Sequence, residues 1–101
     1  MREAEKILKA IYRLVKGDSS PIYLPVSPTT AGAAAGIPAD GVLASCKILE
    51  SHGYLTSAQT SSGQTYFYIT KMGISEAQKP SLLLLLLASF TSQGTRNASS
   101  I

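Results

Sequence analysis

The chain has a single cysteine and a single histidine among its 101 residues. One cysteine, Cys46, excludes both an intramolecular disulfide framework and a four-cysteine zinc site. One histidine, His52, excludes most histidine-rich metal centres. We therefore expect neither a metal ion nor another cofactor, with Cys46 packed in a core and His52 packed at a turn.

Long apolar segments are also missing. The longest apolar run, residues 82–90, covers about nine positions, whereas a membrane span needs roughly 18 or more. No apolar stretch follows the first residues Met1-Arg2-Glu3, so we expect no secretory signal. These absences predict a soluble cytoplasmic protein with no membrane contact.

Length and composition limit the class of protein further. A chain of 101 residues with 45% hydrophobic residues is the size of one small domain and can bury a core. It is too apolar for a fully disordered chain and too short for catalytic barrels of about 200 residues or more. Its serines form no Gly-x-Ser-x-Gly nucleophile motif. We expect a protein that is not an enzyme.

Positive charge is concentrated at the start of the chain, although the formal net charge is only +3. Residues 1–16 contain five basic and two acidic residues, whereas the rest of the chain contains four of each. The basic residues recur every three or four positions, opposite an apolar stripe, as in an amphipathic helix over residues 2–16. The basic stripe consists of Arg2, Lys6, Lys9, Arg13 and Lys16, and the apolar stripe of Ala4, Ile7, Leu8, Ile11, Leu14 and Val15. The basic stripe faces solvent, an acidic partner or flanking DNA; the pattern does not distinguish these.

Caps, breakers and periodicity predict the remaining elements. Ser27-Pro28 is a typical helix start, and Gly36 and Gly53 are typical helix ends. Helices are predicted over residues 2–16, 28–35, 39–52, 71–78 and 81–90, and strands near 22–26, 54–59 and 64–70. Pro25 places the first strand at a sheet edge. The predicted core consists of Ile7, Leu8, Ile11, Val15, Val42, Cys46, Leu49, Leu55, Phe67 and Ile69.

This order of elements resembles a winged helix-turn-helix domain. The similarity is greatest over residues 35–55, where Gly36-Ile37 resembles the turn and Leu49-Glu50-Ser51-His52-Gly53-Tyr54 the exit from the recognition helix. The MarR and PadR regulators are the nearest families. The resemblance implies an α+β fold with a three-helix core, a β-hairpin wing and an additional C-terminal helix. We assign residues 1–90 to this domain and residues 91–101 to a polar, flexible tail.

The resemblance also implies a function, namely binding of double-stranded DNA by a transcriptional regulator. In this fold the helix at 39–52 enters the major groove and the wing at 59–65 reaches the backbone or the minor groove. Thr29 and Thr30 are expected to hold a phosphate near a helix N-terminus. The implied DNA-binding residues are Thr29, Thr30, Ala39, Asp40, Gly41, Ala44, Lys47, Ser61, Ser62, Gly63 and Gln64.

The charges at this site depart from usual DNA-binding chemistry. Lysines and arginines ordinarily neutralise phosphates, yet the helix at 39–52 sets Lys47 against Asp40 and Glu50, and residues 54–70 carry no charge. The helix also lacks the arginine, asparagine and glutamine that read base edges. The alternative is a winged-helix module that binds protein and not DNA.

Six consecutive leucines occupy residues 82–87. A helix that is apolar all round must be buried, and a domain of this size cannot easily surround one. We therefore predict a homodimer built on residues 2–16 and 81–90. The alternative is that this segment folds back and completes the core of its own chain.

Overall fold

The computed structural model describes residues 2–80, which form four α-helices, a short 3₁₀ turn and one β-hairpin. The elements are α1 (Arg2–Val15), the 3₁₀ turn (Pro21–Tyr23), α2 (Pro28–Ala35), α3 (Ala39–Ser51), β1 (Leu55–Gln59), β2 (Thr65–Ile69) and α4 (Lys71–Ala77). The predicted α+β fold, with its three-helix core and hairpin wing, is confirmed. The additional C-terminal helix, the leucine run and the tail at 91–101 lie outside the described residues.

Helix α1 provides the centre of the core. Its apolar stripe packs against α2, α3 and α4, and Ile7 and Ile11 are completely buried. All ten residues of the predicted core are buried. Leu14, in the last turn at the edge of the stripe, is 42% exposed instead. Within residues 2–80, no helix is long and apolar enough to cross a bilayer.

The predicted strand at 22–26 is wrong. Pro21 opens a 3₁₀ turn that takes up the first part of this segment. Pro25 has no N–H to donate to a ladder. Only Val26 joins the sheet, exchanging two backbone hydrogen bonds of 2.8 Å with Phe67. It lies at the edge beside β2, where the strand was expected.

The hairpin pairs β1 and β2 in antiparallel register from Leu55 opposite Ile69 to Gln59 opposite Thr65. Phe67 and Ile69 point into the core, whereas Tyr66 and Tyr68 lie half-buried on the opposite face. This is the alternation that the sequence predicts for a strand. Beyond Leu55, β1 is exposed along its whole length, so the hairpin projects from the helical core as a wing.

Gly32 explains how α2 and α3 pack so closely. A Cβ at this position would lie 2.7 Å from Val42 Cγ2 and 3.0 Å from the Ile37 carbonyl oxygen. Glycine weakens a helix interior by about 1 kcal/mol relative to alanine. Here it is retained inside α2 because the close helix contact leaves no room for a side chain.

Cys46 lies on the inner face of α3 with no solvent exposure. Burial, together with the nearby Glu50 carboxylate, raises the pKa of its thiol to about 11. A thiol that is buried and protonated is a poor nucleophile. The prediction of a core cysteine is therefore confirmed.

The wing and α4 pack closely where Gly73 of α4 meets the backbone at Tyr54. A Cβ on Gly73 would overlap the carbonyl oxygen of Tyr54 and lie 2.9 Å from Ile69 Cγ1. The Tyr54 carbonyl cannot easily move, because it accepts a 3.0 Å hydrogen bond from the Thr70 N–H. Thr70 is fixed in turn, since its hydroxyl caps the Gly73 N–H at 2.9 Å.

We predict that Gly73→Ala lowers the free energy of unfolding by about 3 kcal/mol, the upper part of the range for overpacked sites. Urea unfolding followed by circular dichroism measures the change. Gly17→Ala is the matched control, because nothing lies within 4 Å of a Cβ there and its φ is not positive. Equal stability of the two variants would contradict the proposed close contact.

The raised pKa of Cys46 predicts a loss of stability at alkaline pH. From the ordinary value of 9.0 upwards the unfolded thiol ionises, whereas the folded thiol stays protonated until about 11. Stability should fall by about 1.4 kcal/mol between pH 7 and pH 10 from this group alone. Urea unfolding of the original chain and of Cys46→Ala at both pH values isolates this contribution. Identical pH dependence in the two proteins would refute it.

Candidate nucleic-acid interface

The turn between α2 and α3 orients the candidate interface. Gly36 ends α2 in the left-handed conformation, with φ of 70°, and the Ile37 N–H bonds the Gly32 carbonyl at 3.0 Å. Ile37 is then buried, while Pro38 starts α3 in extended conformation. The result is a three-residue connection, as in a helix-turn-helix unit.

One face of α3 points away from the core. Val42, Cys46 and Leu49 are buried against the rest of the domain. Asp40, Ala44, Lys47 and Ser51 are exposed, and Ala39 is exposed at the start of the helix. These five side chains, with one cation and one anion among them, belong to the face that α3 turns away from the core.

Leu43 and Ile48 are two exposed residues of α3 that sequence reasoning missed. Leu43 is 46% and Ile48 42% exposed. The signal was present in the pairs Val42-Leu43 and Ile48-Leu49, because adjacent residues on a helix point about 100° apart. One member of each pair is buried, so the other lies at the border of the outward face.

Gly41 does not share the outward face on which the sequence placed it. It is half-buried, and a Cβ on it would lie 3.1 Å from Glu3 Oε1 and 3.4 Å from Ile37 Cγ2. This side of α3 therefore faces the start of α1. Of the implied DNA-binding residues, Gly41 alone is turned toward another element.

The N-terminus of α2 offers less to a phosphate than the sequence suggested. Thr29 and Thr30 are both exposed. However, the Ser27 hydroxyl accepts the Thr30 N–H at 3.1 Å and donates to the Thr30 hydroxyl at 2.8 Å. Pro28 has no N–H. Thr29 therefore has the freer polar groups of the two threonines.

The wing tip is polar and uncharged, and its residues hydrogen-bond one another. Ser61, Ser62, Gly63 and Gln64 are all exposed. The Thr60 hydroxyl accepts the Gln64 N–H at 3.1 Å and lies 2.9 Å from the Ser62 hydroxyl. The Tyr66 hydroxyl donates to Gln64 Oε1 at 3.1 Å. These side chains offer hydrogen bonds to a partner but no charge.

Two cations of the basic stripe, Lys9 and Arg13, hydrogen-bond to backbone carbonyls of this domain. Lys9 Nζ donates to the Ala77 carbonyl at 3.0 Å and also to the Lys79 carbonyl. Arg13 Nη2 donates to the Ala34 carbonyl at 3.4 Å. These carbonyls lie at the C-terminal ends of α4 and α2, where positive charge is favourable. Lys6 and Lys16 are exposed and are the better candidates for contact with a partner.

His52 packs at the end of α3, as predicted. Its Nδ1 lies 2.8 Å from the Ile48 carbonyl oxygen, and its ring stacks on Tyr54 with centroids 5.8 Å apart. Over the part of the chain that the structure describes, no three histidine, cysteine or acidic residues come together in a way that could hold a metal ion.

Comparison with known proteins gives structural but not sequence similarity. No protein-family model matches the chain, and no curated protein matches it in sequence. The chain superposes on MepR, a transcription regulator of the Staphylococcus aureus multidrug efflux pump MepA, with a TM-score of 0.60 and 13% identity. That match covers 100% of this chain and 65% of MepR.

Two further structures give the same result. The adhesin competence repressor AdcR of Streptococcus pyogenes matches with a TM-score of 0.56 and 17% identity, over 99% of this chain and 63% of AdcR. A MarR-family transcriptional regulator from Silicibacter pomeroyi matches with a TM-score of 0.57 and 11% identity, over 88% of this chain and 68% of that protein. The chain thus spans just under two thirds of the length of MepR and AdcR. These proteins are regulators and not enzymes, and this chain has the winged helix-turn-helix fold of MarR-family transcription regulators.

Proposed function

We propose that this protein binds double-stranded DNA as a cytoplasmic transcriptional regulator, reading the duplex with α3 and the wing at 59–65. The observation that carries the proposal is the outward face of α3. The residues of this face are exposed along the helix. Helix α3 follows a three-residue turn and contacts the first strand of the projecting hairpin. The same fold occurs in transcription regulators. A helix presented in this way fits the major groove of B-DNA.

The proposed contacts follow from exposure. Lys47, Ala44, Asp40 and Ala39 face the base edges, with the backbone of Gly41 beside them. Thr29 and Thr30 approach the phosphates, and the wing contacts come from Ser61, Ser62, Gly63 and Gln64. Lys47 is the one cation of α3, so it is the residue on which attraction to the duplex depends most.

The electrostatics of this surface predict weak binding with a shallow dependence on salt. Each phosphate that a cation neutralises contributes close to one unit to the slope of log affinity against log salt. The wing contributes no cation, and in α3 Asp40 opposes Lys47. Affinity therefore depends on few phosphate contacts.

We predict that a random duplex pool yields bound sequences, and that affinity falls only modestly between about 50 and 200 mM salt. Lys47→Ala should abolish most of the binding. Lys6→Ala and Lys16→Ala are matched controls, since Lys6 is exposed on α1 and Lys16 is exposed directly after it. Unlike Lys9 and Arg13, neither holds the end of another helix. Fluorescence anisotropy measures each affinity.

Two outcomes would contradict this assignment. Loss of binding on substitution of Lys6 or Lys16, with none on substitution of Lys47, would make the basic stripe of residues 2–16 the contact surface. Absence of duplex binding even at the lower salt would favour the protein-interaction module. The observation behind that second candidate is the uncharged wing, together with the exposed Leu43 and Ile48.

We also propose a homodimer through residues 2–16 and 81–90, within a domain that comprises residues 1–90 and is followed by a tail at 91–101. Burial of the leucine run motivates it, and the exposed Leu14 adds an apolar side chain on α1. A two-fold axis would present two α3 helices to successive major grooves.

We predict that sedimentation equilibrium at micromolar concentration gives twice the chain mass of 10.6 kDa. Leu84→Glu with Leu85→Glu should give a folded monomer that binds DNA more weakly. A monomeric original chain would refute the dimer. Unfolding of the double variant would instead support the leucine segment folding back on its own core.

A further inference from the structure

The outward face of α3 carries large apolar side chains that the core does not bury. Leu43 is 46% and Ile48 42% exposed, although their neighbours Val42 and Leu49 are each only 1% exposed. Ala44 is exposed between them. Apolar groups thus make up half of the six outward positions from residue 40 to residue 51, the others being Asp40, Lys47 and Ser51.

The helical spacing places these groups around Lys47. Residues four apart on a helix are surface neighbours, so Leu43 lies one turn before Lys47 and Ala44 one turn before Ile48. Leu43 and Ala44, about one turn before Lys47, are therefore its surface neighbours. Lys47 and Ile48 are consecutive, so Ile48 points about 100° further round the helix, at the other border of the outward face. Lys47 thus lies between the two large apolar side chains, with Leu43 the nearer of the two.

The major groove offers one apolar group to such a surface. Base pairs present hydrogen-bond donors and acceptors there, and thymine alone adds a methyl group, at C5. The same 5-methylpyrimidine edge occurs in 5-methylcytosine. Because Lys47 opposes Asp40 and the wing is uncharged, attraction to phosphates is small and contacts inside the groove must supply more of the affinity.

We propose that Leu43 and Ile48 determine the base preference of this protein by packing on the C5-methyl groups of pyrimidines, with thymine as the natural source. The inference rests on the proposed DNA binding and adds to it the base feature that is recognised. Lys47 contributes a guanine or phosphate contact next to the methyl groups, and Ala44 allows the helix to approach them closely.

The test removes single methyl groups from the DNA and leaves the protein unchanged. In a duplex selected from the random pool, each thymine is replaced in turn by deoxyuracil, which lacks only the C5-methyl group. Affinity should fall about fourfold at each contacted position, corresponding to the ~0.8 kcal/mol for burying one methylene-sized group. In a parallel arm, 5-methylcytosine replaces cytosine and shows whether a methyl group from that source is recognised equally.

Protein variants then assign the effect to the two side chains. In Leu43→Ala and Ile48→Ala, replacing thymine by deoxyuracil should no longer lower the affinity at the positions that each residue contacts. We call that loss of affinity the deoxyuracil penalty. Alanine is the best helix former, so α3 should remain intact, and thermal unfolding checks this. Met72→Ala is the matched control, since Met72 is a large apolar side chain that is 58% exposed but lies on α4. It should retain the full penalty.

The outcomes separate this inference from the proposed function. Duplex binding that is indifferent to deoxyuracil, or a penalty that persists in both alanine variants, would overturn methyl recognition and leave DNA binding in place. Selected sequences without thymine would overturn it too, unless 5-methylcytosine raises their affinity. Failure to bind any duplex would remove both proposals and would assign Leu43 and Ile48 to a protein partner.

Discussion

The fold depends on burying one stripe of α1. Ile7 and Ile11 have no solvent exposure and lie in one core cluster with residues of α2, α3, α4 and the hairpin. Burying a side chain of this size contributes about 1.5–3 kcal/mol, and each of the other helices contacts this one. The opposite side of α1 adds to the same arrangement, because Lys9 and Arg13 reach the C-terminal carbonyls of α4 and α2. A single helix thereby positions the other three.

That arrangement decides which side of α3 is left for a partner. Gly32 lets α2 approach Val42 closely, and Glu3 of α1 lies against Gly41. With two sides of α3 occupied in this way, Asp40, Ala44 and Lys47 are directed outward. The interface is thus a consequence of helix packing and not of local sequence, since the same residues on an isolated helix would have no preferred side.

Elements governed by local chemistry could be predicted from the sequence, and elements governed by distant contacts could not. Ser27 caps the N-terminus of α2 and Thr70 that of α4, both through hydrogen bonds to residues three positions ahead. In β2, the alternation of residue types along the strand matches the face that is buried. The capping of α4 by Lys9 joins residues 68 positions apart, and no local pattern reveals it. The strand predicted at 22–26 did not form because Pro21, directly before it, opens a 3₁₀ turn and Pro25, within it, has no N–H to donate to a ladder. The side of α3 on which Gly41 lies could not be read from the sequence either, because a glycine carries no polarity from which its side of the helix can be inferred.

The overall charge is a poor guide to how this protein would meet a duplex. The net charge of +3 arises within residues 1–16, where two of the cations already contact carbonyl groups of the fold. Along α3 and the wing, the one cation, Lys47, is outnumbered by Asp40 and Glu50, so there is no net attraction to phosphate. Non-specific affinity for DNA comes almost entirely from phosphate neutralisation, so a surface of this kind gains little from an arbitrary sequence. On the proposed function, most of the affinity for DNA then comes from contacts with groups that differ between bases. The ratio of specific to non-specific affinity is therefore expected to be large even though the specific affinity is modest.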